Sequence, residues 1–264
     1  MINPNAEERA SFVFEGEILT RLHHKALPRV HRVFENDKLM RMYVLMDYIK
    51  GQDLEALRER QPDRCFPLVL VLTMMNPIAN ALIYLHAQKP PVVHRDIKPA
   101  NIIIPDGGGE AMLVDFGSAK EYRADAITSI VGHRSPGYAA PEQYRTGTTP
   151  ATDIYGLAAM VYALLTGVAP VDAPSRIARS WSEGADPLKL ANILKPEIPV
   201  GVAHTLERAL SLQIADRWKT VEEFWQSLLT SSQQHSSAPS IGLAHPFPAE
   251  PQVESEDISA LSKG

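Results

Sequence analysis

Asp96, Lys98 and Asn101 stand close together in His94-Arg95-Asp96-Ile97-Lys98-Pro99-Ala100-Asn101, and Asp115 follows in Asp115-Phe116-Gly117. These residue types complement one another. A carboxylate can orient a hydroxyl and accept its proton. A lysine two residues on sets a cation beside that carboxylate, where it can offset developing negative charge. Asn101 and Asp115 are hard oxygen donors of the kind that Mg²⁺ takes. Short apolar runs at 102–104 and 111–114 flank Asp106-Gly107-Gly108-Gly109, which reads as a hairpin. Asn101 and Asp115 lie at its two ends, so pairing of the strands brings them to one point. A reading in which Asp96 and Asp115 merely cap turns explains neither Lys98 nor Asn101.

With Ala140-Pro141-Glu142 further on, this order and spacing resembles the eukaryotic-type (bacterial Hanks-type) serine/threonine protein kinases over roughly residues 12–229. The resemblance implies an α+β, protein-kinase-like two-lobe fold with an incomplete small β lobe and a mainly helical large lobe. It also implies transfer of the ATP γ-phosphate to Ser/Thr hydroxyls of protein substrates, with Mg²⁺ (or Mn²⁺). In that scheme Asp96 orients the incoming hydroxyl, Lys98 neutralises the γ-phosphate, and Asn101 with Asp115 holds the metal. Lys98 and Ser135 match the serine/threonine branch. Met46 walls the adenine pocket, the backbone of Asp47 and Ile49 meets the adenine edge, Asp53 binds ribose, and Ile103 lies beneath the ring. Glu142 pairs with Arg217, Asp153 holds the catalytic loop from below, and His94, Phe116, Leu19 and Val30 form a stacked apolar column. Glu15, rather than Glu17, matches the helix glutamate that pairs with a strand lysine. Arg95 marks the class regulated by a phosphorylated activation loop, with Thr128 or Ser129 the expected sites ahead of Ser118.

The chain also departs from the family pattern. Neither a glycine-rich loop nor a strand lysine precedes Glu15, and the first lysine, Lys25, comes after it. A fragment, a split or decayed gene, and a kinase-like scaffold each account for that, and this stretch alone is expected to be weakly active or inactive. Aminoglycoside and choline phosphotransferases share the aspartate-to-asparagine spacing but lack the Ala-Pro-Glu motif and its arginine, and usually the lysine.

The elements that must position these residues follow from periodicity. Residues 12–22 have helical spacing, and 29–35 and 41–49 read as strands around Asn36-Asp37. A short helix follows Gly51, and a long apolar helix over 68–86 should be kinked or split at Asn76-Pro77. The uncharged run 154–170 should stop near Leu165, before Gly167 and Pro170. That leaves about 14 residues, roughly 21 Å, short of the ~30 Å hydrocarbon core, so it reads as a buried helix and not a span. The expected units are 1–48 (partial small lobe), 49–230 (large lobe) and 231–264, a Ser/Pro/Glu-rich disordered tail or linker.

In bulk, 264 residues with 45% hydrophobic content can build a real core. A net charge of −5 argues against a nucleic-acid partner. The lone Cys65 suits a reducing, cytoplasmic setting, and the first residues carry no signal-peptide pattern.

Overall fold

The computed structural model describes residues 19–36, 41–116, 120–121, 135–145 and 147–233. Residues 19–21 are helical. Two strands, β1 (Val30–Asn36) and β2 (Arg41–Met46), form an antiparallel pair. Val33 and Val44 are partners in this ladder and pack inward on the core. Phe34 and Tyr43, the next pair, stack face to face at 5.4 Å. Alternation of side chains across a strand produces this division. The second strand stops at Met46, short of the expected 49. Beyond β1, the Asp47 N–H donates to the Arg29 carbonyl, and residues 47–50 run as an irregular connector.

The large lobe opens with β3 (Gly51–Asp53), which runs straight into α1 (Leu54–Glu59). Asp53 caps that helix, its Oδ1 accepting from the Ala56 N–H at 2.8 Å. Gly51 is required at its place, since a Cβ there would lie 2.2 Å from the Ile104 carbonyl oxygen.

Next comes α2 (Leu68–His86), which is one continuous helix with Pro77 inside it, so of the two expected effects, a kink or a split, the split does not occur. Interior proline costs about 3 kcal/mol. Met74, Met75, Ile78 and Ala79 are all buried around it, and Trp225 Nε1 donates to the Asn76 side chain at 2.9 Å. Packing on both sides of the proline outweighs its cost. Among the described residues, α2 is the one helix long and apolar enough to cross a membrane, yet half of it is buried in this core.

Two short sheets carry the site. β4 (Val92–Val93) pairs with β7 (Lys120–Glu121), and β5 (Ile102–Pro105) lies between β3 and β6 (Met112–Leu113), all antiparallel. The hairpin around the glycine cluster therefore forms as expected. Through the Leu113 N–H, which donates to the Ala26 carbonyl, it is joined to the segment before β1.

The hub of the large lobe is α3 (Pro150–Thr166), buried at every position from Thr152 to Thr166. Thr149 caps its start and Gly167, at φ 79°, its end. Four further helices surround it: α4 (Ala173–Glu183), α5 (Ala191–Leu194), α6 (Val200–Ala209) and α7 (Val221–Gln233). The last runs three residues into the stretch expected to be tail; residues 234–264 lie outside the described ones.

Candidate active site

The residues 94–101 link β4 to β5, and the fold holds this loop from below and from the side. Asp153, at the start of α3, accepts from the backbone N–H of His94 through Oδ2 and of Arg95 through Oδ1, both at 2.8 Å. His86, at the end of α2, lies 2.9 Å from the same Oδ2. Burial alone would raise the Asp153 pKa, but the His86 hydrogen bond and the Arg95 amide outweigh it and hold the carboxyl below its usual range. An ionised carboxylate thus sits beneath the loop, sharing its charge among donors.

His94 itself is fully buried and meets Phe116 edge-on at 5.1 Å. Burial drives its pKa down despite the pull of Asp153, Asp96 and Asp115, so the imidazole is neutral. Phe116, Leu19 and Val30 lie in the same apolar core. Both lobes therefore rest on one packed interior.

The loop then presents its polar side chains together. Lys98 Nζ donates to Asp96 Oδ2 at 2.6 Å and to Ser135 Oγ at 3.0 Å, and Ser135 Oγ donates to Asp96 Oδ1 at 2.9 Å. Asn101 Nδ2 donates to both the Asp96 carbonyl (2.8 Å) and Asp96 Oδ2 (3.0 Å). Four of the sequence-selected residues, one of them 37 positions from Lys98, thus close a single network. Lysine has three donors and each carboxylate oxygen two lone pairs, so neither Lys98 nor Asp96 is saturated by these bonds.

Asn101 and Asp115 lie at the base of the β5–β6 hairpin, which the Val114 N–H closes onto the Asn101 carbonyl at 2.9 Å. Asp115 is exposed and holds φ 65°, unusual for a non-glycine residue. Because both N–H groups of the Asn101 amide go to Asp96, its Oδ1 is the atom left to face a cation. The donor set is hard oxygen: among the described residues no group of three His, Cys, Asp or Glu gathers to hold a metal. Two protein oxygens completed by phosphate oxygens and water fit Mg²⁺ or Mn²⁺.

Of the residues expected to line a nucleotide pocket, Met46 is half-buried against the core at the end of β2. Asp47 is exposed and hydrogen-bonded to His31 at 2.7 Å, which holds its carboxyl below the usual range. Ile49 lies in the connector, and the sheet register sets Asp53 directly opposite Ile103. Asp53 is already engaged as the cap of α1, a second task that the sequence reading did not assign to it.

Glu142 and Arg217 form a two-pronged buried ion pair at 2.8 and 2.9 Å, with Thr152 Oγ1 adding a bond to Glu142 and Arg217 one to the Ala151 carbonyl. Two participants escaped the sequence reading. His86 is one, and a histidine at a helix end carries no local sign of its distant partner. Gln143 is the other: it follows Ala140-Pro141-Glu142 directly, and its amide bridges Ala140 and Arg95. Glu15, Glu17, Ser118, Thr128 and Ser129 lie outside the described residues.

This geometry accords with what the chain is similar to. A model for the protein kinase domain matches residues 2–247. The serine/threonine-protein kinase PrkC of Bacillus subtilis is 30% identical over 222 residues, 82% of this chain and 33% of the relative. The serine/threonine-protein kinase PknL of Mycobacterium tuberculosis is 31% identical over 212 residues, 78% of this chain and 51% of the relative. The chain therefore spans about a third of the length of the first relative and about half that of the second. The crystal structure of the Mycobacterium tuberculosis PknI kinase domain superposes with a TM-score of 0.66 at 27% identity, covering 86% of this chain and 80% of that one. The chain belongs to the protein kinase domain family, alongside bacterial serine/threonine protein kinases.

Proposed function

We propose that the protein transfers the γ-phosphate of ATP to serine or threonine hydroxyls of other proteins, in the cytoplasm. The observation that carries this reading is the closed network of Asp96, Lys98, Asn101 and Ser135 beside Asp115. Asp96 takes the hydrogen bond of the incoming hydroxyl and accepts its proton. Lys98, fixed on one side by Asp96 and Ser135, directs its remaining N–H at the γ-phosphate. Asn101 Oδ1 and Asp115 would hold Mg²⁺ or Mn²⁺, which supplies charge neutralisation of the phosphates. Since Ser135 already touches the base and the cation, a substrate backbone laid along the 135–140 segment would deliver its hydroxyl to Asp96.

For the nucleotide, the Asp47 N–H is spent on Arg29, which leaves the Asp47 carbonyl for the adenine amino group and the Ile49 N–H for the ring. Ile103 would floor the ring, Met46 close its back, and Asp53 meet the ribose while capping α1. Phosphorylation of a generic Ser/Thr protein by this chain, and by a form extended upstream in its genomic frame, tests the proposal. ATP-dependent transfer that disappears in Asp96→Asn is the expected result. Transfer that survives Asp96→Asn, or none from either form, would refute it.

A further inference from the structure

Arg95 holds φ 74°, a left-handed conformation uncommon for a residue other than glycine and kept here by its surroundings. Its peptide groups are gripped on both sides. The Arg95 N–H goes to Asp153, and the Arg95 carbonyl accepts from Gln143 Nε2 at 2.9 Å. The opposite end of the same amide, Gln143 Oε1, accepts from the Ala140 N–H at 2.9 Å. These partners settle the orientation of the amide, because a backbone N–H can only donate and a carbonyl only accept.

We infer that Gln143 is a positioning residue for Asp96, acting through the Arg95–Asp96 peptide. That peptide is planar, so fixing the Arg95 carbonyl also fixes the Asp96 N–H and the position of the Asp96 Cα from which the side chain is carried. Gln143 can serve as an anchor because the turn that carries it is itself immobilised. Glu142, its neighbour, is clamped by buried Arg217, and residues 141–144 form one 3-10 turn. The same amide reaches the segment of Ser135, which bonds Asp96 from the other side. One side chain thus ties the segment that would receive substrate to the backbone of the base. Sequence proximity to the Ala-Pro-Glu motif does not convey this, since the bond spans 48 positions.

The inference rests on the kinase reading for its catalytic consequence, but not for its geometry, and the experiment separates the two. Full-length protein is compared with Gln143→Met and Gln143→Glu. Methionine fills the space with no polar group. Glutamate keeps an acceptor for Ala140 while turning an oxygen on the Arg95 carbonyl. Two readouts are taken: kcat and KM for ATP in phosphorylation of a serine protein, and hydrogen exchange of the peptide spanning residues 94–98. Both variants are expected to lose about ten- to a hundredfold in kcat, with KM for ATP changed less than about twofold. Exchange at 94–98 is expected to quicken while that of α3 and α7 stays the same. A Gln143→Glu enzyme with wild-type kcat would overturn the inference, because a purely structural tie to Ala140 would survive in it. Unchanged exchange at 94–98 in both variants would overturn it as well. If wild-type protein transfers no phosphate, the kinase reading fails, and faster exchange at 94–98 still upholds the role of Gln143 in positioning.

Discussion

Among single residues, Asp96 and Lys98 carry the largest expected consequences. Asp96 sits at the centre of four hydrogen bonds, three on its carboxylate and one on its carbonyl. Replacing it by asparagine keeps the shape and removes the base. The expected outcome is a loss of about 10²–10⁴ in kcat with the melting temperature little changed, read from steady-state phosphorylation and thermal unfolding of the same preparation. Lys98→Met removes the cation but leaves Asp96 and Asn101 in place; about a 10²–10³-fold fall in kcat is expected. A Lys98→Met enzyme as fast as wild type would mean that the lysine serves only to hold Ser135. These residues were legible in the sequence because side-chain chemistry at short spacing leaves a mark there. His86 and Gln143 were not, because Asp153 lies 67 positions from His86 and Arg95 lies 48 from Gln143, each reached by one bond.

At the scale of elements, buried charge and close backbone approach decide most. Arg217 and Glu142 are buried almost completely, with side-chain exposures of 0% and 4%. Arg217→Ala strands Glu142 in the interior, and the expected cost is about 3–5 kcal/mol of unfolding free energy by denaturant titration. A loss below about 1 kcal/mol would show that water enters and solvates the carboxylate. Gly51→Ala brings a methyl group against the Ile104 carbonyl at the β3–β5 crossing, and the same titration should register about 1–3 kcal/mol. The helices over 68–86 and 150–166 were legible from apolar content, and Gly167 marked the end of the second. Which of the two effects Pro77 would have was not legible, because local preference cannot register the tertiary contacts of Met75, Ile78 and Asn76.

Considered as a whole, the molecule rests on a core that contains two titrating groups at the 94–101 loop, His94 within it and Asp153 beneath it, and both favour acid lability. His94 has a folded pKa below its unfolded value of about 6.5. Its contribution is therefore complete above that pH and is lost as pH falls from about 6.5 toward the depressed folded value. Asp153 is depressed from about 3.9, so its contribution is present above that pH and disappears only on stronger acidification. Thermal unfolding between pH 7.5 and 5 should show stability declining with acid, and His94→Phe should flatten the slope in that interval. An unaltered slope in His94→Phe would assign the decline to other groups. What the sequence by itself determined is residue type and chain order: Asp96, Lys98, Asn101 and Asp115, the Ala-Pro-Glu motif and its arginine, each readable because residue type and local spacing persist without a fold. Only the tertiary structure decided which backbone groups are held and by whom. Gln143 grips the Arg95 carbonyl across from Asp153, which the kinase resemblance had already set beneath the loop, and His86 braces Asp153 from the end of α2. Such contacts join positions tens of residues apart, and their strength comes from burial and geometry that no local window of sequence contains.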